Sequence, residues 1–451
     1  DPIVGTFELT VPVLPNFASK HLLDLAKYPK ARCLDGTPGA YYLSPGHNVL
    51  RSGQRKFYIF KQGGGGCADI EDCRVRSESM LGSSAEERGW EKYMDLHSYE
   101  SAPHIGMDRN EVNNPLMWDW NHVFLVYCDG GYFAGGRKSP YEVVKETVNG
   151  TTTQTVDKPL YASGSWIMNG VILDLMNFRG MRLASDIVFA GCSAGGISTI
   201  TTINWLRDEV KRAMPLRAAA DSLPLPLISM PKIAGFVCSG FFLDYDYKRG
   251  EGGGQVSAEY REEKKNPYHL FEAHSQVNQG CANEYGGEHD PEIHRCMIAQ
   301  TSAHFAEVPL FLWESLYDDY MLANVLEERH CKDAECAEPH AKNMRTALYN
   351  LWHLKPDFGG FLSGCAHHCE GSSDGDIGNI RPIDGKKPLQ AFDQWYRTIA
   401  EPVEQAGWLQ PKNQTKLQRY WTEEASYPCP ECCPRAANPE ATFYRVDSSL
   451  E

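Results

Sequence analysis

A serine between closely spaced glycines is the residue of this chain best suited to covalent chemistry. The segment GCSAG, residues 191–195, fits the G-x-S-x-G pattern with Ser193 at its centre. The preceding residues, DIVFA, are typical of a buried strand and a helical stretch follows, so the serine would lie at a strand-to-helix turn. The N–H groups at the start of that helix would favour a developing oxyanion. The pattern predicts a nucleophilic serine, with a purely structural glycine turn as the alternative.

A nucleophilic serine needs a base and an orienting acid, and in α/β hydrolases the acid comes before the histidine in the chain. The segment VPLFLWESLYDDY, residues 308–320, offers an apolar strand followed by three acidic residues: Glu314, Asp318 and Asp319. Any one of them could instead cap the next helix. From the residues alone, the choice between them stays open.

Two adjacent histidines are the main candidates for the base. His367 and His368 lie between Cys365 and Cys369, in a short loop that disulfides could hold rigid. Three other histidines also follow the acidic residues: His330, His340 and His353. A lone histidine is more often structural or exposed to solvent, so the bracketed pair is favoured.

Four consecutive glycines, residues 63–66, follow an apolar run at residues 57–60. Glycine lets backbone N–H groups point into a site without obstruction from side chains. The placement is similar to the HGGG-type loops that supply oxyanion donors in lipases and esterases. The alternatives are a flexible hairpin loop and a phosphate-binding loop, although the run lacks the Gly-Lys-Ser/Thr ending of the latter.

Short apolar runs alternate with helical stretches, which predicts an α/β fold with a mostly parallel central sheet flanked by helices. The expected strands lie near residues 57–60, 122–127, 186–190, 233–237 and 308–313, and the expected helices near 166–177 and 197–214. Beyond about residue 313 we expect short helices, long loops and cysteines. No linker or repeat marks a boundary, so residues 1–451 are expected to form one domain with a Cys- and Pro-rich tail from about residue 420.

Composition narrows the classes of function. The formal net charge is −15, which argues against general nucleic-acid binding because that depends on Lys and Arg neutralising phosphates. The 15 cysteines favour disulfides and hence a secretory compartment, with zinc binding by the Cys365–Cys369 and Cys429–Cys432 segments as the alternative. Since 15 is odd, at least one thiol is expected to stay unpaired or to pair between chains. The sequons at Asn149 and Asn413 agree with secretion, and no apolar run is long enough to predict a transmembrane helix.

Four segments together resemble the pectin acetylesterase family, which also contains the animal Wnt-deacylating carboxylesterase Notum. They are CLDGTPGAYYL at 33–43, GGGGCADIEDC at 63–73, NPLMWDWNHVFLVYCDGGYFAG at 114–135 and GCSAGG at 191–196. The segments VPLFLWESLYDDYML, CAHHC and GKKPLQAFDQWY continue the match in the same order, so it spans about residues 33–396. The resemblance implies an α/β-hydrolase fold, several disulfides, secretion, and no metal or organic cofactor.

Carried over by motif, the resemblance implies a triad of Ser193, Asp318 and His368. The family's Tyr-Asp-x-x-Gln segment matches residues 317–321 and favours Asp318 over Asp319. Its Cys-x-x-His segment favours His368 over His367. The implied oxyanion donors are three backbone N–H groups, those of Ala194, Gly64 and Gly65.

Two departures from the family pattern bear on the substrate. The family's oxyanion loop usually carries a Trp, whereas both corresponding positions here, Gly65 and Gly66, are glycine. Loss of that indole is expected to open the mouth of the pocket. The Gln of the acid segment is replaced by Met321.

Together these features predict a secreted serine carboxylesterase that removes O-acetyl groups from a polysaccharide through an acyl-enzyme. The alternative substrate is a longer acyl chain on a protein or lipid. Alternatives from other classes are a non-catalytic polysaccharide- or lipid-binding protein on the same scaffold and a zinc hydrolase using His367, His368 and cysteines. The complete order of serine, acid and histidine favours the enzyme, because a binding module has no use for all three.

Overall fold

One sheet organises the chain. The computed structural model describes residues 17–46, 53–96, 105–142, 158–214, 230–244, 265–326, 331, 333–369, 380–399 and 418–432. The strands in these residues are β1 Phe17–Leu22, β2 Ala40–Ser44, β3 Lys56–Lys61, β4 Tyr93–Asp95, β5 Asn121–Leu125, β6 Asp186–Cys192, β7 Lys232–Cys238, β8 Leu310–Ser315, β9 Gly359–Ser363 and β10 Tyr420–Thr422. They form a single 10-stranded sheet in the order β10-β9-β8-β7-β6-β3-β5-β2-β1-β4.

Most of this sheet is parallel. The strands from β10 to β5 in that order pair in parallel, whereas β2, β1 and β4 extend the β5 edge in antiparallel pairs. The predicted α/β fold with a mostly parallel sheet is therefore confirmed. In such a sheet the loops that follow the strands meet at one edge, where α/β proteins place their sites.

Helices cover the sheet. The described α-helices are α1 Ile70–Arg76, α2 Gly164–Phe178, α3 Ala194–Ala213, α4 Gln279–Glu284, α5 Ala299–Ala303, α6 Asp319–Asn324, α7 Ala334–Leu354 and α8 Pro388–Thr398. The helix after the serine, α3, packs on β6 and β7 through apolar residues at helical spacing: Ile197, Ile200, Ile203, Leu206 and Val210. Among the described helices, no segment has both the length and the apolar character of a membrane span.

The chain beyond residue 313 differs from the expectation. It contains β9, β10 and the long helix α7, rather than only short helices and loops. The strand β9 has the sequence GGFLS and is buried throughout, so its two glycines and short length hide the usual strand pattern. The start of the expected tail forms the edge strand β10, and Cys429 and Cys432 beyond it are joined by a disulfide.

A buried lysine lies next to the turn that carries the serine. Lys61 ends β3, its side chain is fully buried, and its Nζ lies 3.0 Å from Ser198 Oγ and 3.5 Å from Thr202 Oγ1. Both hydroxyls belong to the first turns of α3, where the helix dipole disfavours a cation. Burial lowers the pKa of the amine well below its ordinary value.

Replacing this amine, as Lys61→Met, should flatten the dependence of stability on pH in the neutral to alkaline range. The folded-state pKa of Lys61 is depressed, so between it and the unfolded-state pKa the unfolded chain binds the extra proton. The free energy of unfolding of the wild type should therefore rise with pH in that interval, by up to about 1.4 kcal/mol per pH unit. Urea unfolding at pH 7 and pH 9 measures the difference.

Lys56→Met is the matched control for this prediction. Lys56 begins the same strand, is only partly buried, and has its Nζ 5.4 Å from the centre of the Trp120 ring. Its replacement should leave the pH dependence of the wild type unchanged. Equal slopes for the wild type and Lys61→Met would contradict the prediction.

Candidate active site

Ser193 lies at the turn between β6 and α3. Its φ of 52° and ψ of −122° belong to a region that non-glycine residues rarely occupy, which is typical of a strained nucleophile turn. Its N–H donates to Cys238 O at 3.1 Å, and its carbonyl accepts from Ile197 N–H at 2.8 Å. The residue is 8% exposed. The turn therefore holds the hydroxyl in a fixed position at the carboxyl edge of the sheet.

Close packing explains the glycines on either side of Ser193. A Cβ on Gly191 would collide with the backbone of Gly195, and a Cβ on Gly195 would collide with the carbonyl oxygen of Lys61. The start of α3 can approach β3 and β6 this closely only with glycine at both positions. The glycines thus have a structural role, which is compatible with a nucleophilic serine.

The glycine run at residues 63–66 passes next to the serine. A Cβ on Gly63 would lie 3.1 Å from Ser193 Cβ, and Gly64 and Gly65 have φ values of 128° and 65°. Within the described residues, the N–H groups of Gly64, Gly65 and Ala194 donate to no protein acceptor. Backbone donors of this kind beside a serine at a helix N-terminus suit an oxyanion. Their role as oxyanion donors stays a prediction.

Asp318 and His368 form a hydrogen-bonded pair at the same edge of the sheet. Asp318 follows β8, His368 follows β9, and Asp318 Oδ2 lies 2.8 Å from His368 Nδ1. The other oxygen, Oδ1, accepts from Met321 N–H at 3.0 Å, so Asp318 also caps α6. Burial raises the pKa of this carboxyl, but His368, the Met321 N–H and His367 together outweigh burial, and the pKa is lowered from its ordinary value. An ionised Asp318 holds Nδ1 and leaves Nε2 available to a serine.

The other two acidic candidates lie in different surroundings. Glu314 Oε1 accepts from Gly240 N–H at 3.1 Å and from Phe241 N–H at 3.0 Å, so Glu314 ties β8 to the segment after β7. Burial raises the pKa of Glu314 well above its ordinary value. Asp319 is exposed in the first turn of α6. Of the three acidic residues, Asp318 is the one paired with His368.

The two adjacent histidines also differ. His367 is 1% exposed, its ring centroid is 5.9 Å from that of Trp313, and neither ring nitrogen has a hydrogen-bond partner within the described part of the chain. Burial lowers the pKa of His367 to about 4, so this ring is neutral at pH 7. The His368 ring lies between Tyr320, stacked at 5.1 Å, and Phe242, edge-on at 6.3 Å. Tyr320 has no motif of its own, and only its position two residues after the acid could have indicated it.

A disulfide joins the chain beside the serine to the chain beside the histidine. Cys192 precedes Ser193, Cys369 follows His368, and the two cysteines are bonded with their Cα atoms 5.7 Å apart. Cys369 N–H also donates to Ser239 Oγ at 3.1 Å, which strengthens the same connection. Ser193 Oγ forms no hydrogen bond within the described residues, and such contacts are often long before substrate binds.

The remaining cysteines bear on the zinc alternative. The close pairs Cys67–Cys73, Cys331–Cys336 and Cys429–Cys432 are disulfides, as are the distant pairs Cys33–Cys128 and Cys281–Cys296. Cys365 is also disulfide-bonded, although not to its neighbour Cys369, and Cys238 is a buried thiol. The four cysteines of the zinc alternative therefore lack the thiolate that zinc binding needs. Among the residues that the structure describes, no cluster of His, Cys, Asp and Glu is arranged to hold a metal ion.

The two glycines that replace the family's Trp have different surroundings. At Gly65 a Cβ would meet no atom within 4 Å. At Gly66 a Cβ would lie 2.7 Å from the ring of Tyr132, a residue that is 2% exposed and has a φ of 56°. The expected opening is therefore limited to Gly65, because Tyr132 fills the space beside Gly66. The second departure from the family pattern is Met321 in place of Gln. It leaves Asp318 in place, because the contact between the two residues is made by the backbone N–H of Met321.

The other candidate residues do not join the Asp318–His368 pair in the described part of the chain. His340 is buried in α7, near enough to Asp318 for that charge to act on its ring, and His353 is exposed near the end of the same helix. His330 and the two sequon residues, Asn149 and Asn413, lie outside the described residues.

Comparison with known proteins shows the family of the chain. The family model described as Pectinacetylesterase matches residues 15–434. Pectin acetylesterase 4 of Arabidopsis thaliana is 24% identical over 416 residues, which cover 87% of each chain. The palmitoleoyl-protein carboxylesterase NOTUM of Schmidtea mediterranea is 25% identical over 307 residues, which cover 66% of this chain and 49% of that protein.

A solved structure shows the same fold. The Wnt deacylase Notum from Drosophila matches with a TM-score of 0.64 at 18% identity, covering 93% of this chain and 99% of that one. Because the family model spans nearly the whole sequence, this chain belongs to the pectinacetylesterase family of carboxylic ester hydrolases.

Proposed function

We propose that this protein is a secreted serine carboxylesterase that removes O-acetyl groups from a polysaccharide. The observation that carries the proposal is the bonded pair of Asp318 and His368, joined through Cys192–Cys369 to the strained turn of Ser193. Family membership supplies the class of reaction, the cleavage of a carboxylic ester. No metal or organic cofactor enters the proposed mechanism.

In this mechanism Ser193 Oγ attacks the ester carbonyl while His368 Nε2 takes its proton. Asp318 keeps the proton of the neutral ring on Nδ1 and stabilises the imidazolium that forms. The N–H groups of Ala194 and of the glycine run, at Gly64 or Gly65, bind the tetrahedral oxyanion. His368 then protonates the leaving alcohol and activates the water that releases the acid from the acyl-enzyme.

One comparison supports an acetyl group over a longer chain. The relative named as a pectin acetylesterase aligns over 87% of this chain, whereas the relative named as a palmitoleoyl-protein carboxylesterase aligns over 66%. The alcohol part of the proposed ester is a hydroxyl of pectin or a similar polymer. This choice follows from the names of the relatives.

We also propose that the protein is secreted and glycosylated. Six disulfides with both partners described agree with an oxidising compartment, as do the sequons at Asn149 and Asn413. We also propose that residues 1–451 act as one esterase domain, since the described elements share one sheet. Expression in a secreting host with and without an enzyme that removes N-glycans tests the sequons by a shift in mass.

Hydrolysis of esters of increasing chain length tests the acyl group. We expect kcat/KM on p-nitrophenyl esters to fall at least about tenfold from acetate to octanoate, since a pocket that fits an acetyl group cannot take the extra methylenes without strain. Acetate should also be released from acetylated pectin or xylan. A rate that rises steeply with chain length would overturn the choice of acetyl and leave the longer-chain alternative.

A further inference from the structure

Arg76, the last residue of α1, contacts the glycine run directly. Its Nη2 donates to Gly64 O at 2.7 Å, and its Nε donates to Leu81 O at 3.2 Å. Its guanidinium carbon lies 5.0 Å from the centre of the Tyr127 ring. Burial raises the pKa of the nearby Asp129 to about 6, and the charge of Arg76 acts against that rise. The guanidinium is thus held by two carbonyls and a ring, and one of those carbonyls belongs to the glycine run.

The hydrogen bond from Arg76 sets the direction of the peptide between Gly64 and Gly65. In a trans peptide the C=O and the following N–H point in opposite directions. With Gly64 C=O directed at Arg76, the N–H of Gly65 points away from Arg76 and has no acceptor within the described residues. A Cβ on Gly65 would meet nothing within 4 Å, so this peptide borders open space next to the serine turn.

Little else opposes rotation of this peptide. Both of its residues are glycines with positive φ, and glycine populates the alternative backbone regions with little steric cost. After rotation, Gly64 C=O would take the place of Gly65 N–H. A carbonyl oxygen there would repel the oxyanion that the N–H is needed to bind.

We propose that Arg76 is a positioning residue that keeps Gly65 N–H directed at the oxyanion. The inference rests on the proposed function and adds the residue that prepares its oxyanion site. The helix that carries Arg76 is well placed for this, because the Cys67–Cys73 disulfide ties α1 to the end of the run. Cys67 N–H also donates to Gly130 O at 2.9 Å.

The test compares Arg76→Met with Arg76→Lys on p-nitrophenyl acetate. Arg76→Met removes both donors, and we expect kcat to fall about 10- to 100-fold while KM changes by less than about threefold. Arg76→Lys keeps the charge but can reach only one of the two carbonyls, so its loss should be smaller. It also carries the test if the methionine variant does not fold.

Arg74→Met is the matched control. Arg74 lies on the same helix, two residues away, and its guanidinium pairs with Glu71 at 2.6 Å on the surface. This variant should retain the kcat of the wild type. A loss of activity equal to that of Arg76→Met would show a general effect on α1 and overturn the positioning role.

A boronic acid that forms a tetrahedral adduct with the serine reports on the oxyanion site separately from stability. Its affinity should weaken in Arg76→Met by about the same factor as kcat, because the adduct places an oxygen where the oxyanion forms. Unchanged boronate affinity, or an effect confined to KM, would overturn the proposal.

Ser193→Ala separates this inference from the proposed function. If the wild type cleaves the ester, Ser193→Ala does not, and Arg76→Met behaves like the wild type, the positioning role is wrong and the esterase proposal stands. If Ser193→Ala retains the wild-type rate, the proposed function fails first, and the role of Arg76 fails with it.

Discussion

Replacing Ser193 with alanine should lower kcat on p-nitrophenyl acetate by about 10⁴- to 10⁶-fold. The variant loses the attacking oxygen, while Asp318, His368 and the backbone donors remain. What activity persists should come from the oxyanion donors and substrate binding alone. The fold should be retained, because alanine occupies the same strained backbone position, at φ 52°, without new bulk.

Ser198→Ala is the control for that variant. Ser198 lies one turn further along α3, is fully buried, and contacts the Lys61 amine rather than the site. Its replacement can alter stability but should leave kcat within about threefold. Unchanged turnover in Ser193→Ala would remove the triad and favour the non-catalytic binding protein. Binding of acetylated polymer without turnover by the wild type would favour the same alternative.

Replacing Asp318 with asparagine should lower kcat by about 10³- to 10⁴-fold. The side chain keeps its size, and one oxygen can still cap α6 by accepting from Met321 N–H. Its amide would then face His368 Nδ1 as a donor, and the ring must carry its proton on Nε2. A ring in that tautomer cannot accept a proton from the serine, so the loss should appear in kcat rather than in KM.

Asp319→Asn provides the comparison, since Asp319 is the next residue in the chain and is exposed. It should retain activity within about twofold. If Asp319→Asn were the inactive variant and Asp318→Asn the active one, the acid would have to be reassigned.

The sequence predicted the parts of the molecule that depend on local pattern. The strand, turn and helix around Ser193 lie within one segment, and the apolar runs of β3, β5, β6, β7 and β8 are continuous enough to identify. The antiparallel strands β1, β2 and β4 were not predicted, and β9 was hidden by its glycines. Their strand conformation depends on pairing with distant neighbours, which a local pattern does not contain.

In the site too, local pattern identified the candidate residues but not the contacts between distant parts of the chain. The residues alone left three acids and two adjacent histidines open, and the resemblance to a family selected Asp318 and His368, the pair that the structure brings together. The bond between Cys192 and Cys369 spans 177 residues, and cysteine spacing does not indicate it. The contact of Tyr132 with Gly66 likewise joins two separate loops. Pairings of this kind depend on how the strands are ordered, and that order could not be derived from the chain.

The order of the strands also determines how an ester must enter. The glycine run follows β3 on one side of β6, whereas Asp318 and His368 follow β8 and β9 on the other. In the proposed mechanism the carbonyl oxygen therefore points toward β3, and the departing alcohol leaves toward β9, where His368 can protonate it. The loop after β3 thus binds the carbonyl oxygen, and the loops after β8 and β9, on the other side of the serine, contact the polymer. Natural variation in these loops at positions other than Asp318 and His368 can change which polymer is accepted without disturbing the N–H groups that bind the oxyanion.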